Sequence, residues 1–192
     1  MKALDAGAYG IICPMINNAE QAAQLVSFVR YPPMGVRSFG PTRASISAGA
    51  NYGREANDSI LCFAMIETRE AMENLAEIAA TPGLDGVYIG PADLTIGLTG
   101  MCYPTGFDRE EPEMIKAIRH ILETAHAHGI KAALHCGSAS YALRAIDWGF
   151  DLVTLANDVR MLTNASSAAL KEMRTGLAGV PGNHPQSGSC QY

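Results

Sequence analysis

Short apolar runs recur along the chain, separated by longer stretches in which apolar residues fall every three or four positions. The runs are Tyr9 to Pro14, Leu61 to Ile66, Val87 to Ile89, Ala132 to His135 and Leu152 to Leu155. Each is nearly continuous rather than alternating, as in strands covered on both faces. Between them, Ala19 to Arg30 sets Ala22, Leu25, Val26 and Val29 on one helical stripe and stops at Pro32-Pro33. Glu70 to Ala80 repeats the stripe with Ala71, Leu75 and Ile78 and ends at Pro82-Gly83. Glu111 to His128 does so with Met114, Ile118, Ile121 and Leu122, and a helix-stopping Gly129 follows. Ser140 to Trp148 and Val159 to Met173 complete the helices. Strands alternating with helices predict an α/β fold around a parallel sheet.

One stretch departs from this rhythm. Tyr31 to Ser59 is rich in Gly, Pro, Ser, Asn and Arg and shows no clear period, so it is read as a long loop serving as lid, binding segment or subunit contact. No tandem repeat and no linker precede the end of the chain. Residues 1–175 are therefore expected to form one domain, and 176–192, rich in Gly, Pro and Ser, a flexible tail.

Composition narrows the function. The 192 residues are 48% hydrophobic and 17% charged, enough for one substantial core. A net charge of -5 without a Lys/Arg-rich run offers no footprint for nucleic acid, which leaves a small molecule as the expected partner. No segment approaches the ~18 apolar residues of a membrane helix, and the opening Met1 to Met15 is broken by Asp5, glycine and proline and does not read as a signal. The 5 cysteines are odd in number and contain no Cys-x-x-Cys, which argues against a disulfide framework or a zinc site. The expected setting is reducing and cytoplasmic, with Cys13 and Cys62 as small buried hydrophobes.

Two carboxylates stand out. Glu67 closes the run Leu61 to Ile66, and Asp93 lies in Gly90-Pro91-Ala92-Asp93-Leu94, which closes Val87 to Ile89. Roughly 26 residues separate them, the length of one strand-helix-strand unit. If the two runs are neighbouring parallel strands, both carboxylates emerge at one end of the sheet, where they can share a hard divalent cation. The Gly-Pro turn also opens a short helix, whose N-H groups at Ala92 and Asp93 point at an incoming anion.

These residues carry a likeness. Leu4-Asp5-Ala6-Gly7-Ala8, Tyr31-Pro32-Pro33 with Gly35 and Arg37-Ser38, Ile66-Glu67-Thr68-Arg69-Glu70-Ala71, and Gly90-Pro91-Ala92-Asp93-Leu94 resemble, in order, motifs of the HpcH/HpaI aldolases. Those are class II, metal-dependent pyruvate aldolases of the 2,4-dihydroxyhept-2-ene-1,7-dioic acid aldolase type, related to macrophomate synthase and citrate lyase β subunits. The resemblance runs from about Met1 to Arg174. It implies a (β/α)8 TIM barrel, of which this chain would hold about five strand-helix units, the first three lying outside it. It implies Glu67 and Asp93 as ligands of Mg²⁺ or Mn²⁺, with Co²⁺ as a further choice, and Ala92 and Asp93 as the binding site for the pyruvate carboxylate.

The implied reaction is cleavage of 4-hydroxy-2-oxo acids to pyruvate and an aldehyde by a homo-oligomer. The family's His-Asp general base and its enolate-facing Arg belong to the first three units and match no residue here, so low activity is expected of the chain as it stands. Two other readings compete: a citramalyl- or malyl-CoA lyase, against which the sequence shows no basic patch for CoA phosphates, and a noncatalytic metal- or pyruvate-binding fragment. Many relatives carry Gln where this chain has Met65. Arg43, in an Arg-Ala pair on the long loop, is the candidate catalytic arginine; Arg37 is the alternative as a loop anchor, and Tyr52 a weaker candidate. His120, His126 and His128 read as surface residues. His135 ends a strand at the catalytic face and is a candidate displaced acid or base.

Overall fold

A computed structural model of the chain describes residues 1–178. Its sheet has five strands in the order β1 (Gly10–Cys13), β2 (Leu61–Ile66), β3 (Gly86–Ile89), β4 (Lys131–Cys136) and β5 (Leu152–Leu155), each parallel to the next. Strands taken in sequence order by same-handed crossovers place every crossover on one face of the sheet. The sheet consequently curls as part of a barrel, the (β/α)8 type expected from the sequence.

Side chains divide between the two faces by strand period. Cys62, Ala64 and Ile66 of β2, Val87 and Ile89 of β3, and Ala132, Leu134 and Cys136 of β4 face the helices and belong to the main core. The intervening Phe63, Tyr88 and Ala133, with Met65 against them, form a small second cluster on the concave face. Gly86 makes that layer possible, since a Cβ there would stand 2.4 Å from the Phe63 ring. At the two sheet edges Ile12, Leu152 and Leu155 are about two-fifths exposed.

The helices follow the predicted stripes. α2 (Ala19–Val29) buries Ala22, Leu25, Val26 and Val29, and α8 (Pro112–Ala127) buries Met114, Ile118, Ile121 and Leu122. α9 (Ala139–Trp148) buries Tyr141, Ala142 and Ala145. Caps mark the starts: Asn18 accepts from the Gln21 N-H, Thr68 from Ala71 and Ser138 from Tyr141. The single helix predicted over 70–80 is instead two, α5 (Arg69–Glu73) and α6 (Leu75–Ala79), broken at Asn74. Asn74 Nδ2 donates to the Asn17 carbonyl at 2.9 Å, a contact between distant segments that periodicity does not report.

The stretch over 31–59 is not a structureless loop. It holds α3 (Thr42–Ala48) and α4 (Tyr52–Ser59), too short to show a stripe, with Ala44 on one and Tyr52 and Ala56 on the other as their buried residues. Arg37 braces this region as an anchor. Its side chain is fully buried; it donates to Asp5 and to the Tyr52 hydroxyl, both at 3.0 Å, and its guanidinium lies 4.4 Å from the Tyr31 ring centre. α1 (Lys2–Asp5) supplies that Asp5.

Backbone packing divides the chain into two units, Met1–Leu155 and Ala156–Tyr192, whereas the sequence suggested a division at 175. The described part of the second unit carries α10 (Asp158–Ala178), so Gly176 to Ala178 are helical. The rest of the expected tail lies outside the described residues.

Candidate active site

The carboxyl ends of β2, β3 and β4 converge on one cavity. Because Ile66 pairs with Ile89 and Ile89 with Leu134, the next residues in register are Glu67, Gly90 and His135, a cross-strand row on the concave face. Glu67 is 3% exposed. Its Oε1 accepts the Met15 N-H at 2.7 Å, and a Cβ on Gly90 would stand 2.6 Å from its Oε2. A residue without a side chain at position 90 is what lets this carboxylate lie across β3.

Asp93 is the third residue of α7 (Pro91–Thr99), capped at its start by Gly90 without a side-chain hydrogen bond. The first N-H groups of a helix have no acceptor within it, and since Pro91 carries none, the N-H groups of Ala92 and Asp93 are the ones suited to an anion. Burial pushes the Glu67 carboxyl above the ordinary carboxylate range; the Met15 N-H works against the shift and the Asp93 charge adds to it. A buried carboxylate beside a second negative charge is an electrostatic deficit that a cation would remove. Among the described residues, no three His, Cys, Asp or Glu side chains converge as a metal-ligating cluster. A donor set of Glu67 and Asp93 would fit a hard, oxygen-seeking ion that keeps water or substrate in its remaining positions.

A cavity beside Asp93 measures about 290 Å³ and is lined by Ile12, Met65, Tyr88, Gly90 to Asp93, Phe107 and His135. Met65 thus forms part of the cavity wall. A larger open cleft of about 460 Å³ lies beside Arg69, Leu98, Tyr103 and Glu113, but its polar groups are committed: Arg69 donates to the Leu98 carbonyl and Tyr103 to Glu113.

The structure brings Ala92, Asp93 and His135 to the cavity lining and sets the buried Glu67 against Gly90 of that lining. It does not bring Arg43 to the cavity lining; Arg43 is exposed on α3. Tyr52 is 4% exposed and bound to Arg37, a brace and not a site residue. His126 pairs with Asp151 at 2.9 Å and His128 with the Thr124 carbonyl at 2.9 Å, both on the surface. Sequence reasoning missed Met15, Phe107, Tyr88 and Thr154. Tyr88 was the legible one, as the polar-tipped residue in an otherwise apolar strand.

A family model described as HpcH/HpaI aldolase/citrate lyase matches residues 1–165. The chain belongs to that family. The hydroxypyruvate/pyruvate aldolase of Rhizorhabdus wittichii is 45% identical over 174 residues, covering 91% of this chain and 68% of the relative. The 2-keto-3-deoxy-L-rhamnonate aldolase of Escherichia coli K12 is 34% identical over 182 residues, 92% of this chain and 65% of the relative. In the crystal structure of an HpcH/HpaI aldolase from Desulfitobacterium hafniense, 27% identical, the match has a TM-score of 0.82 and covers 95% of this chain and 68% of that one. This HpcH/HpaI chain thus spans about two thirds of the length of these relatives. The relatives include aldolases for several keto-deoxy acids, among them 5-keto-4-deoxy-D-glucarate aldolase.

The row Glu67, Gly90, His135 yields a prediction for this HpcH/HpaI chain. Gly90 has φ -95°, which any residue adopts, so Gly90→Ala is expected to fold. The new methyl group displaces the Glu67 carboxylate, and Mn²⁺ affinity should fall about 10- to 100-fold, as when the support of a metal ligand is removed. Calorimetric titration beside a thermal melt separates the two effects, and undiminished affinity in a folded variant would show that Glu67 Oε2 is not a ligand.

Proposed function

We propose that the chain carries the metal- and pyruvate-binding half of a class II aldolase site and cleaves 4-hydroxy-2-oxo acids to pyruvate and an aldehyde. The observation that carries this reading is the buried Glu67 carboxylate, presented over Gly90 beside Asp93 at the start of α7. Glu67 and Asp93 would hold the divalent ion, Mg²⁺ or Mn²⁺. When bound, the ion supplies the positive charge that cleavage requires at the ketone oxygen of the substrate. The N-H groups of Ala92 and Asp93 would take the carboxylate of the 2-oxo acid, orienting its ketone toward the two side chains. Tyr88 and Phe107 then form the wall against which the aldehyde portion packs. Met65 contributes an apolar surface in place of a hydrogen-bonding amide, which leaves fewer groups to order water near Glu67.

The test is release of pyruvate from a 4-hydroxy-2-oxo acid, followed with coupled lactate dehydrogenase in Mn²⁺ and again after chelation. Metal-dependent release that is lost in Asp93→Asn supports the proposal. Release unaffected by chelation would reject it.

A further inference from the structure

Glu67 is held from outside its own strand. Its Oε1 accepts the Met15 N-H at 2.7 Å, and Met15 belongs to the turn that joins β1 to α2. Met15 has φ 59°, in the left-handed region that a residue with a side chain seldom enters. It is also 53% exposed, so packing of its own side chain does not keep the turn in that state. A backbone held this way persists where its surroundings over-determine it. Those surroundings lie two residues further on.

Asn17 ties the turn to three other segments. Its main-chain N-H donates to Gln21 Oε1 at 2.7 Å, its carbonyl accepts from Asn74 Nδ2 at 2.9 Å, and its Oδ1 accepts the Thr68 hydroxyl. Thr68 follows Glu67 in the chain and caps α5, its oxygen accepting the Ala71 N-H at 3.0 Å. A hydroxyl that gives its one proton to Asn17 and takes a bond from Ala71 is directed on both sides. Glu67 is therefore bracketed: the turn after β1 grips its side chain through Met15 and the next residue through Asn17. Between them Ile16 is buried in the main core, which keeps the turn seated when a single bond is removed. The remaining carboxylate oxygen, Oε2, lies over Gly90.

We propose that Asn17 is a positioning residue of the metal site; the proposal rests on Glu67 as a ligand, the reading given above. Through the Thr68 hydroxyl Asn17 fixes the turn that carries Met15, and the Met15 N-H in turn fixes the Glu67 carboxylate with Oε2 over Gly90. Asn17 does not line the cavity and acts only through these partners. A carboxylate aimed before the cation arrives loses less freedom on binding than one that turns about its own bonds.

The test uses both ends of one hydrogen bond. Asn17→Ala removes the acceptor and keeps the two main-chain bonds of residue 17; Thr68→Val removes the hydroxyl, and Thr68→Ser keeps it. By calorimetry, Asn17→Ala and Thr68→Val are each expected to lower Mn²⁺ affinity about 10-fold, as for loss of a partner that orients a metal ligand. Thr68→Ser should bind as the parent does, and the double variant should lose no more than Thr68→Val alone, because both changes break the same bond. A second readout needs no metal. In protein labelled with ¹⁵N-methionine, the Met15 amide proton, identified by its absence in Met15→Leu, should resonate downfield, as a donor to a carboxylate does. In Asn17→Ala it should move toward its position in Glu67→Ala. A residue that only stabilised the fold would lower the melting temperature and move neither readout. Parental Mn²⁺ affinity in a cooperatively melting Asn17→Ala or Thr68→Val variant, or an unmoved Met15 resonance, overturns the proposal and leaves Glu67 a ligand. A parent that binds no Mn²⁺ overturns the ligand reading itself, and the proposal with it.

Discussion

Replacing Glu67 by Gln is expected to remove Mn²⁺ binding and, at neutral pH, to make the metal-free protein more stable. The two effects have one cause. Burial, reinforced by the Asp93 charge, raises the Glu67 carboxyl above its ordinary value, against the opposing Met15 N-H. Its folded-state pKa therefore exceeds the unfolded one, and the folded protein holds the extra proton. By linkage, stability is fully present below the unfolded value and is lost as pH rises from about 4.5 through the raised folded value. Above that window the parent carries an ionised buried carboxylate, and Gln carries none. Gln keeps an oxygen to accept the Met15 N-H, so the hydrogen bond at 2.7 Å persists. Affinity for Mn²⁺ should fall by at least about 10²-fold, beyond the loss caused by disturbing a ligand's support alone. Denaturant midpoints measured from pH 4 to 8 without metal give the first effect and calorimetry the second. A variant less stable than the parent at neutral pH would mean that the Glu67 charge is compensated by groups other than a metal.

The largest effect on folding is expected at Arg30. Its side chain is 4% exposed and reaches three partners: it pairs with Asp85 at 2.6 Å and donates to the Gly83 carbonyl at 3.2 Å and to the Ile60 carbonyl, while Nε has no partner. Asp85 in turn accepts the Cys62 N-H at 2.6 Å, so a single ion pair ties the end of α2 to the starts of β2 and β3. Arg30→Ala strands Asp85 and two carbonyls. Removing one partner of a buried pair costs about 3–5 kcal/mol, and the lower end applies because the Asp85 side chain is a third exposed. A loss of about 3 kcal/mol is a large share of the 5–15 kcal/mol that holds a typical domain together. Urea unfolding with an unchanged slope reads it directly. A loss under about 1 kcal/mol, the range of exposed pairs, would show that the guanidinium is solvated in the folded protein.

The strands and most helices were legible because each is long enough to declare its period: α8 buries a full stripe from Met114 to Ala125, and the five apolar runs became the five strands. Glu67 and Asp93 were legible for a different reason. Parallel strands in sequence order put their carboxyl ends on one side, so spacing alone placed both residues there. What escaped depends on contacts between segments distant in sequence. The break at Asn74 answers to Asn17, and the ordering of 31–59 to Arg37 meeting Asp5. The support of Glu67 comes from a main-chain N-H at Met15, 52 positions away, which no side-chain pattern can announce. His135 was visible as a strand-end histidine, but its partners are hydroxyls on two other strands. A search for a carboxylate neighbour overlooks them.

The central claim is that a divalent ion and pyruvate meet between Glu67 and Asp93. The most direct measurement is the broadening of the pyruvate methyl proton resonance by Mn²⁺, with and without protein. The parent should increase the broadening well beyond that of free Mn²⁺, with the increase absent in Glu67→Gln and in Asp93→Asn. Equal broadening by the parent and both variants, or none beyond that of free Mn²⁺, would contradict the account.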